Sequence, residues 1–69
     1  MVKIKVMDIL NERERNLLWL SKKCKIGYNT IYNFAMGKTN AVSYDVLETI
    51  CKVLEVNISD IIEIVNDGN

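Results

Sequence analysis

The chain has 69 residues, of which 49% are hydrophobic and 26% charged, with nine basic and nine acidic side chains. This length allows one small domain with a modest core, and the apolar content is too high for a disordered segment. The sequence has no run of about eighteen apolar residues and no signal peptide, so we expect a soluble, cytoplasmic protein without a membrane partner.

Side chains that usually support catalysis or metal binding are scarce. The chain has no histidine, and its two cysteines, Cys24 and Cys51, lack the spacing of a zinc site. Both cysteines fall on predicted buried helix faces, as reduced core cysteines do. The most frequent general base is missing and no glycine-rich phosphate loop is present. We therefore expect no enzyme activity, no cofactor, no metal and no small-molecule ligand.

The first part of the chain contains a strand-like segment and two helical segments. Residues 2–6, VKIKV, alternate apolar and basic side chains, as a short strand would. Helix one is predicted from about Val6 to Arg13. Asn16 can cap helix two, which runs to about Cys24.

Two further helices follow. Helix three is predicted from about Tyr28 to Met36 and ends at Gly37, a natural residue for the left-handed position after a helix. Residues 38–42 form a loop, and Ser43 can cap helix four. Apolar residues recur every three or four positions in that helix, at Val46, Leu47, Ile50, Cys51 and Leu54.

The last segment is open to two interpretations. Asn57 with Asp60 three residues later resembles a capping box for helix five, which would carry Ile58, Ile61, Ile62 and Val65. The stretch from Ile62 onward also alternates in part, as a strand would. In that case the two ends of the chain could pair, within a subunit or between subunits.

Residues 20–38, LSKKCKIGYNTIYNFAMGK, form the most informative stretch. They read as two helices joined by a tight turn at Ile26 and Gly27. The apolar residues of helix three follow helical spacing, and its opposite stripe has no acidic side chain: Tyr28, Asn29, Tyr32, Asn33 and Met36. A helix face with amides, phenols and no carboxylate is suited to lie against a polyanion and read base edges.

Charge is segregated along the chain. Residues 1–40 hold eight basic and three acidic side chains, whereas residues 41–69 hold one basic and six acidic side chains. The positive half contains helix three, so the fold can present one positive face to DNA. The alternative is an ordinary solvated surface with accidental segregation.

The order helix, LSKKC, turn, YNTIYNFAMGK, loop, DVLETICKVLEVNISDII resembles the Cro-like (Xre-type) helix-turn-helix regulators, most of all the short single-domain members of bacteria and phages. The resemblance runs from about Val6 to Val65. It implies an all-α, compact five-helix, lambda-repressor-like domain over residues 1–69, with short terminal β-strands allowed. The helix-turn-helix would span about residues 17–36, and helix three would enter the major groove.

The positions of this chain that match DNA-contacting positions of the family imply its own DNA contacts. The expected base contacts are Tyr28, Asn29, Tyr32 and Asn33. Asparagine can pair with adenine, and tyrosine can meet a thymine methyl group or a phosphate. No arginine lies on this stripe, so strong guanine reading is not expected. The expected phosphate contacts are Lys22, Lys25, Lys38, Thr39 and Asn40. The alternatives are that Tyr28 or Tyr32 packs partly on helix two and that Lys25 only solubilises the surface.

The chain departs from the family pattern at three positions. Lys25 and Glu55 stand where the family often has glycine after a helix, and Gly27 stands where it often has a serine or threonine cap. A lysine held at positive φ costs about 1 kcal/mol. A glycine cap loses only a few tenths of a kcal/mol relative to serine.

The sequence thus predicts a sequence-specific regulator of transcription that binds double-stranded DNA, most simply a repressor. A small monomer touches few phosphates, so a homodimer on an inverted repeat is the expected working form. The aliphatic C-terminal segment is the expected dimer interface, through Ile61, Ile62, Ile64 and Val65. The alternative is a protein-binding module that keeps the helix-turn-helix fold and modulates another regulator.

Overall fold

The computed structural model describes residues 1–39 and 41–66. Within these residues the chain forms five helices and two short strands, which confirms the predicted mostly helical class with short terminal strands. In chain order they are β1 (Val2–Ile4), α1 (Val6–Glu12), α2 (Leu17–Cys24), α3 (Tyr28–Ala35), α4 (Tyr44–Leu54), α5 (Ile58–Ile61) and β2 (Ile62–Ile64). The first four helices end within about two residues of their predicted ends, as is normal for fraying helix termini.

The two ends of the chain form one antiparallel ribbon, and this decides the open interpretation of the last segment. β1 and β2 pair with Val2 opposite Ile64, Lys3 opposite Glu63 and Ile4 opposite Ile62. The prediction that helix five carries Ile62 and Val65 is therefore wrong. Ile62 has extended backbone angles, φ −130° and ψ 135°, because pairing with β1 provides backbone hydrogen bonds that a longer helix would have made internally.

The core is built from all five helices. The largest fully buried side chains are Val6, Leu10, Leu20, Ile31, Ile50, Leu54 and Ile61. Each such burial contributes roughly 1.5–3 kcal/mol relative to exposure. Ser21 lies buried among them on α2, and its hydroxyl donates to the carbonyl oxygen of Ile26 at 2.6 Å. That bond satisfies the polar group and holds the chain where it leaves α2 for α3.

Three helix starts carry the caps that the sequence predicts. The side chain of Asn16 accepts the backbone N–H of Trp19 at 2.8 Å, and Ser43 caps α4 in the same way. Asn57 and Asp60 form the capping box of α5, in which the Asn57 N–H donates to the Asp60 carboxylate at 3.0 Å. Each cap supplies a partner for a backbone donor that the helix itself leaves unpaired.

The turns after α2 and α4 both use a left-handed residue that is not glycine. Lys25 has φ 58° and Glu55 has φ 57°. The predicted positive φ of Lys25 is confirmed. Glu14 also has a positive φ, 56°, which no pattern in the sequence indicated. Each such residue costs about 1 kcal/mol relative to a right-handed conformation.

Both cysteines are free thiols. Cys24 is buried, and desolvation raises its thiol pKa. Cys51 is half-buried; desolvation raises its pKa, and the nearby Asp60 carboxylate raises it further. Both thiols are therefore held in the protonated, weakly nucleophilic form.

Within residues 1–39 and 41–66, no helix is both long enough and apolar enough to cross a membrane.

Candidate nucleic-acid interface

Helix α3 is anchored by its inner face. Ile31, Phe34 and Ala35 are buried, with exposures of 0%, 2% and 5%. These residues follow helical spacing, so the opposite side of the same eight-residue helix must face solvent. The anchoring therefore determines which side chains α3 presents to a ligand.

The amides predicted to read bases lie on that outer side. Asn29 and Asn33 are both exposed and stand one helical turn apart, on the same stripe. An exposed asparagine amide offers one acceptor and two donors, the set that pairs with the N7 and N6 groups of adenine. Their placement suits base reading, and their contact with DNA stays a prediction.

A pair of stacked tyrosines runs beside the amides. The ring centroids of Tyr28 and Tyr32 are 6.0 Å apart, with an angle of 27° between the rings. Tyr28 is 44% exposed, whereas Tyr32 is half-buried and also packs against the core. Tyr32 therefore combines an inward contact with an outward ring surface.

Lys38 joins this aromatic pair. Its Nζ atom lies 5.1 Å from the centroid of the Tyr32 ring, within the range of a cation–π interaction. The predicted role of Lys38 is a phosphate contact alone, and neither aromatic contact was predicted. The spacing of Tyr28 and Tyr32, four residues apart on one helix, was the available signal for the stack. The position of Lys38 depends on the turn after α3 and had no local signal.

Basic side chains flank α3 at both ends. Lys22, Lys23 and Lys25 are exposed near the end of α2, before α3 begins, and Lys38 is exposed after α3 ends. Charges in these places can meet phosphates on either side of a groove that holds α3. Lys38 lies over Tyr32 at one border of the reading stripe, which is the outer stripe of α3 formed by Tyr28, Asn29, Tyr32, Asn33 and Met36. The phosphate contacts of Lys22, Lys25 and Lys38 stay predictions.

The loop after α3 is held by its own side chain. The Thr39 hydroxyl donates to the carbonyl oxygen of Ala41 and accepts the Ala41 N–H at 3.3 Å. This hydroxyl is thus engaged within the loop, so a phosphate would compete with Ala41 for it. Asn40, the remaining predicted phosphate contact, lies outside the described residues.

The acidic side chains of the C-terminal half belong to elements other than α3. Those on α4, α5 and β2 and in the turn between α4 and α5 are Asp45, Glu48, Glu55, Asp60 and Glu63, and all are exposed. Glu48 pairs with Lys52 at 3.5 Å on the surface of α4, a contact worth little in water. The reading stripe itself has no acidic residue, so no carboxylate on α3 opposes a polyanion.

Two arginines outside α3 have structural contacts. The guanidinium of Arg15 lies 5.1 Å from the centroid of the Trp19 ring, and Trp19 is half-buried against the core. Arg13 donates to the carbonyl oxygen of Leu54 and so joins the end of α1 to the end of α4. The Arg13 contact spans 41 residues, which no local pattern could reveal.

The predicted dimer residues divide into inner and outer positions. Ile61 is fully buried in the core of the monomer, so it offers no surface to a partner, and the dimer interface itself stays a prediction. The end of α5 turns this side chain inward, where a partner cannot touch it. Ile62 and Val65 are half-buried, while Ile64 is 81% exposed. Ile64 is the member of the set that is fully available to a partner.

Among residues 1–39 and 41–66, no group of three or more histidine, cysteine, aspartate or glutamate side chains is placed to hold a metal ion.

Comparison with known proteins adds one finding. A family model described as Cro/C1-type HTH DNA-binding domain matches residues 5–67. Comparisons with curated proteins and with solved structures gave no match. The matched range contains α1 to α5 and the whole reading stripe on α3.

Proposed function

Because the chain belongs to the family of Cro/C1-type HTH DNA-binding domains, we propose that it is a sequence-specific transcriptional repressor. It acts in the cytoplasm and binds double-stranded DNA as a homodimer on an inverted repeat. The observation that carries the proposal is the acid-free outer stripe of α3, held in place by three buried residues and flanked by lysines.

The reading mechanism follows from the chemistry of that stripe. With α3 in the major groove, Asn29 and Asn33 pair with adenine, and the tyrosine rings meet apolar base groups. Lys22 and Lys25 on one border and Lys38 on the other contact phosphates and set the position of the helix in the groove. Repression requires no further chemistry, because a bound protein excludes polymerase from an overlapping promoter.

A dimer is proposed because one copy has few contacts. Its lysine contacts alone give weak, salt-sensitive binding, whereas two linked half-sites combine their affinities. A two-fold dimer would place the two copies of α3 about 34 Å apart, one turn of B-DNA.

The outer end of the β1–β2 ribbon is the proposed dimer surface. Val2, Ile4, Ile62 and Ile64 share one face of the ribbon, because side chains two apart on a strand point the same way. Ile4 and Ile62 pack against the core. Their neighbours Val2 and Ile64, which are cross-strand partners, are 60% and 81% exposed. The same apolar face therefore extends beyond the monomer core, where a second copy can cover it.

The DNA-binding part of the proposal is tested by selection from random duplex DNA. We expect enrichment of an inverted repeat with adenine and thymine at the positions that α3 faces. Affinity for the selected site should fall steeply with salt, and Lys22→Ala or Lys38→Ala should each reduce the slope of log K against log salt by about one unit. Glu48→Ala is the control that leaves the slope unchanged. Failure to enrich any sequence contradicts the proposal.

The dimer is tested separately by analytical ultracentrifugation. Ile64→Asp should shift the protein toward monomer and weaken operator binding while leaving the circular dichroism spectrum unchanged, because Ile64 is exposed. Tyr44→Asp is the matched control, since Tyr44 is 88% exposed on α4, away from the ribbon. A parent protein that stays monomeric at high micromolar concentration, with and without DNA, contradicts this part. Dissociation by Tyr44→Asp alone would assign the dimer to α4.

One observation favours a second candidate function, a module that binds another regulator. A shallow groove between α4 and α5 is lined by exposed and half-buried apolar side chains and by one carboxylate: Tyr44, Leu47, Cys51, Val56, Ile58 and Glu48. A basic amphipathic segment of a partner fits such a surface. Selection without enrichment, together with saturable binding of a purified regulator that Tyr44→Asp abolishes, would favour this function over DNA binding.

A further inference from the structure

We propose that the stacked rings of Tyr28 and Tyr32 read thymine methyl groups in the major groove and that Lys38 positions the Tyr32 ring for this task. The inference rests on the proposed DNA-binding function and names the base chemistry that it selects. It assigns Lys38 a second role beside any phosphate contact.

The shape of the stacked tyrosine pair suits contact with an apolar group. The centroids lie 6.0 Å apart with the rings 27° from parallel, so the two side chains form one continuous apolar surface. Tyr28 is 44% exposed and Tyr32 is half-buried, which leaves the outer part of that surface open. A pair that stacks on itself is already ordered, so little side-chain entropy is lost when a base group binds.

An apolar surface of this kind selects the thymine methyl group. The floor of the major groove presents hydrogen-bonding groups for every base, and the C5-methyl group of thymine is its distinct apolar feature. An aromatic ring gains from covering that methyl and gains nothing from covering a bare donor or acceptor. Contact with the methyl group therefore favours thymine over the other bases.

The neighbouring amides favour the same base pair as the tyrosine rings. Asn29 follows Tyr28 and Asn33 follows Tyr32, so each ring stands beside an exposed amide on α3. Asparagine pairs with adenine, the partner base of thymine. Both rows of side chains on the stripe thus select A·T pairs, one through hydrogen bonds and the other through the methyl group.

Lys38 also contacts the Tyr32 ring. Its ammonium lies 5.1 Å from the Tyr32 ring centroid, while Tyr28 stacks on the same ring. Tyr32 is thus in contact with Tyr28, with Lys38 and with the core. The lysine reaches this place because Gly37 adopts φ 70° and turns the chain back after α3. Lys38 is therefore a positioning residue for the ring.

The decisive experiment changes only the DNA. In the selected operator, each thymine is replaced by deoxyuridine, which removes the methyl group and keeps every hydrogen-bonding group. Replacement at the thymines facing the tyrosines should weaken binding of the parent protein about fourfold for each buried methyl group. Replacement outside the region covered by α3 should have no effect, and at a sensitive position 5-methylcytosine should bind more tightly than cytosine, because the two differ only in the methyl group.

Matched variants assign the effect to the rings. Tyr28→Ala and Tyr32→Ala should each lose the preference for thymine over deoxyuridine at the position that the removed ring faces, whereas Tyr28→Phe and Tyr32→Phe should keep the fourfold preference. Lys38→Met should reduce the preference and Lys38→Arg should restore it, because arginine also lies over aromatic rings. A purely phosphate-contacting Lys38 would change both operators alike and leave the preference intact.

Three results would overturn the inference. The first is a selected operator whose deoxyuridine versions all bind the parent protein as tightly as the thymine version. The second is a methyl preference that persists at every sensitive position in both alanine variants. The third is a preference that Lys38→Met leaves intact, which removes the role of Lys38. In each case a selected operator exists, so the proposed DNA-binding function stands. Absence of any selected operator would instead contradict that function.

Discussion

The turn between α2 and α3 and the turn between α4 and α5 have nearly the same geometry, thirty residues apart. Each helix ends at a left-handed residue, Lys25 or Glu55, with φ 58° and 57°. The next residue, Ile26 or Val56, donates its N–H to the carbonyl oxygen five residues earlier, at 3.2 Å and 3.0 Å. This is the Schellman pattern of helix termination.

The two helices that follow these turns differ. α3 has eight residues, is capped by Gly27 and has no acidic residue in its first turn, whereas α5 has four residues, is capped by Asn57 and has Asp60 in its first turn. The same turn therefore leads once to a long, acid-free outer surface and once to a short helix that continues into a strand. The turn alone does not make a reading element; the length and charge of the helix after it do.

The largest expected effect tests whether the two compared segments, α2–α3 and α4–α5, contribute equally to stability. Ile31 and Ile61 occupy the same position, four residues after the helix cap, and both are fully buried. Ile31→Ala and Ile61→Ala should each lower the free energy of unfolding by about 2–5 kcal/mol, because each leaves a cavity in the core. Urea denaturation measures this. Loss of stability in Ile31→Ala alone would show that the second turn is peripheral to the fold.

The next effect tests whether α3 binds DNA and α5 does not. Asn29→Ala should cost about 1–3 kcal/mol of specific DNA binding, mainly at one adenine position, with an almost unchanged thermal midpoint because Asn29 is exposed. Ser59→Ala, at the equivalent exposed position of α5, should bind DNA like the parent protein. Binding titrations with the selected operator measure both. Equal losses in the two variants would contradict reading by α3.

A smaller effect is expected at the left-handed residues. Lys25→Gly and Glu55→Gly should each raise the free energy of unfolding by about 1 kcal/mol, because glycine adopts positive φ without steric cost. Only Lys25→Gly should also lower the salt slope of DNA binding, by about one unit, through loss of a phosphate contact. An unchanged slope would assign Lys25 to the solvated surface.

The smallest effect concerns the two helix caps. A Cβ atom at Gly27 would have no neighbour within 4 Å, so a serine fits there. Gly27→Ser should stabilise the fold by a few tenths of a kcal/mol, and Asn57→Gly should destabilise it by a similar amount. Thermal unfolding of the two variants and the parent protein measures both shifts. A destabilised Gly27→Ser variant would mean that the turn requires the backbone freedom of glycine.

Much of the fold follows from neighbouring residues. The caps at Asn16, Ser43 and Asn57 and the left-handed Lys25 were predictable because each depends on residues within four or five positions. The outer stripe of α3 was predictable for the same reason, since helical spacing separates its apolar from its polar residues. Its contacts with bases and phosphates remain predictions.

What the sequence by itself determined is therefore the set of helices, their caps and the faces that α2, α3 and α4 bury. Tertiary structure alone decided the fate of the C-terminal isoleucines, because pairing with β1, some sixty residues away along the chain, leaves Ile61 inside and Ile64 outside. It also decided that Lys38 lies over Tyr32 and that Arg13 reaches Leu54. These contacts depend on how distant segments fold together, and hydrophobic periodicity describes only one segment at a time.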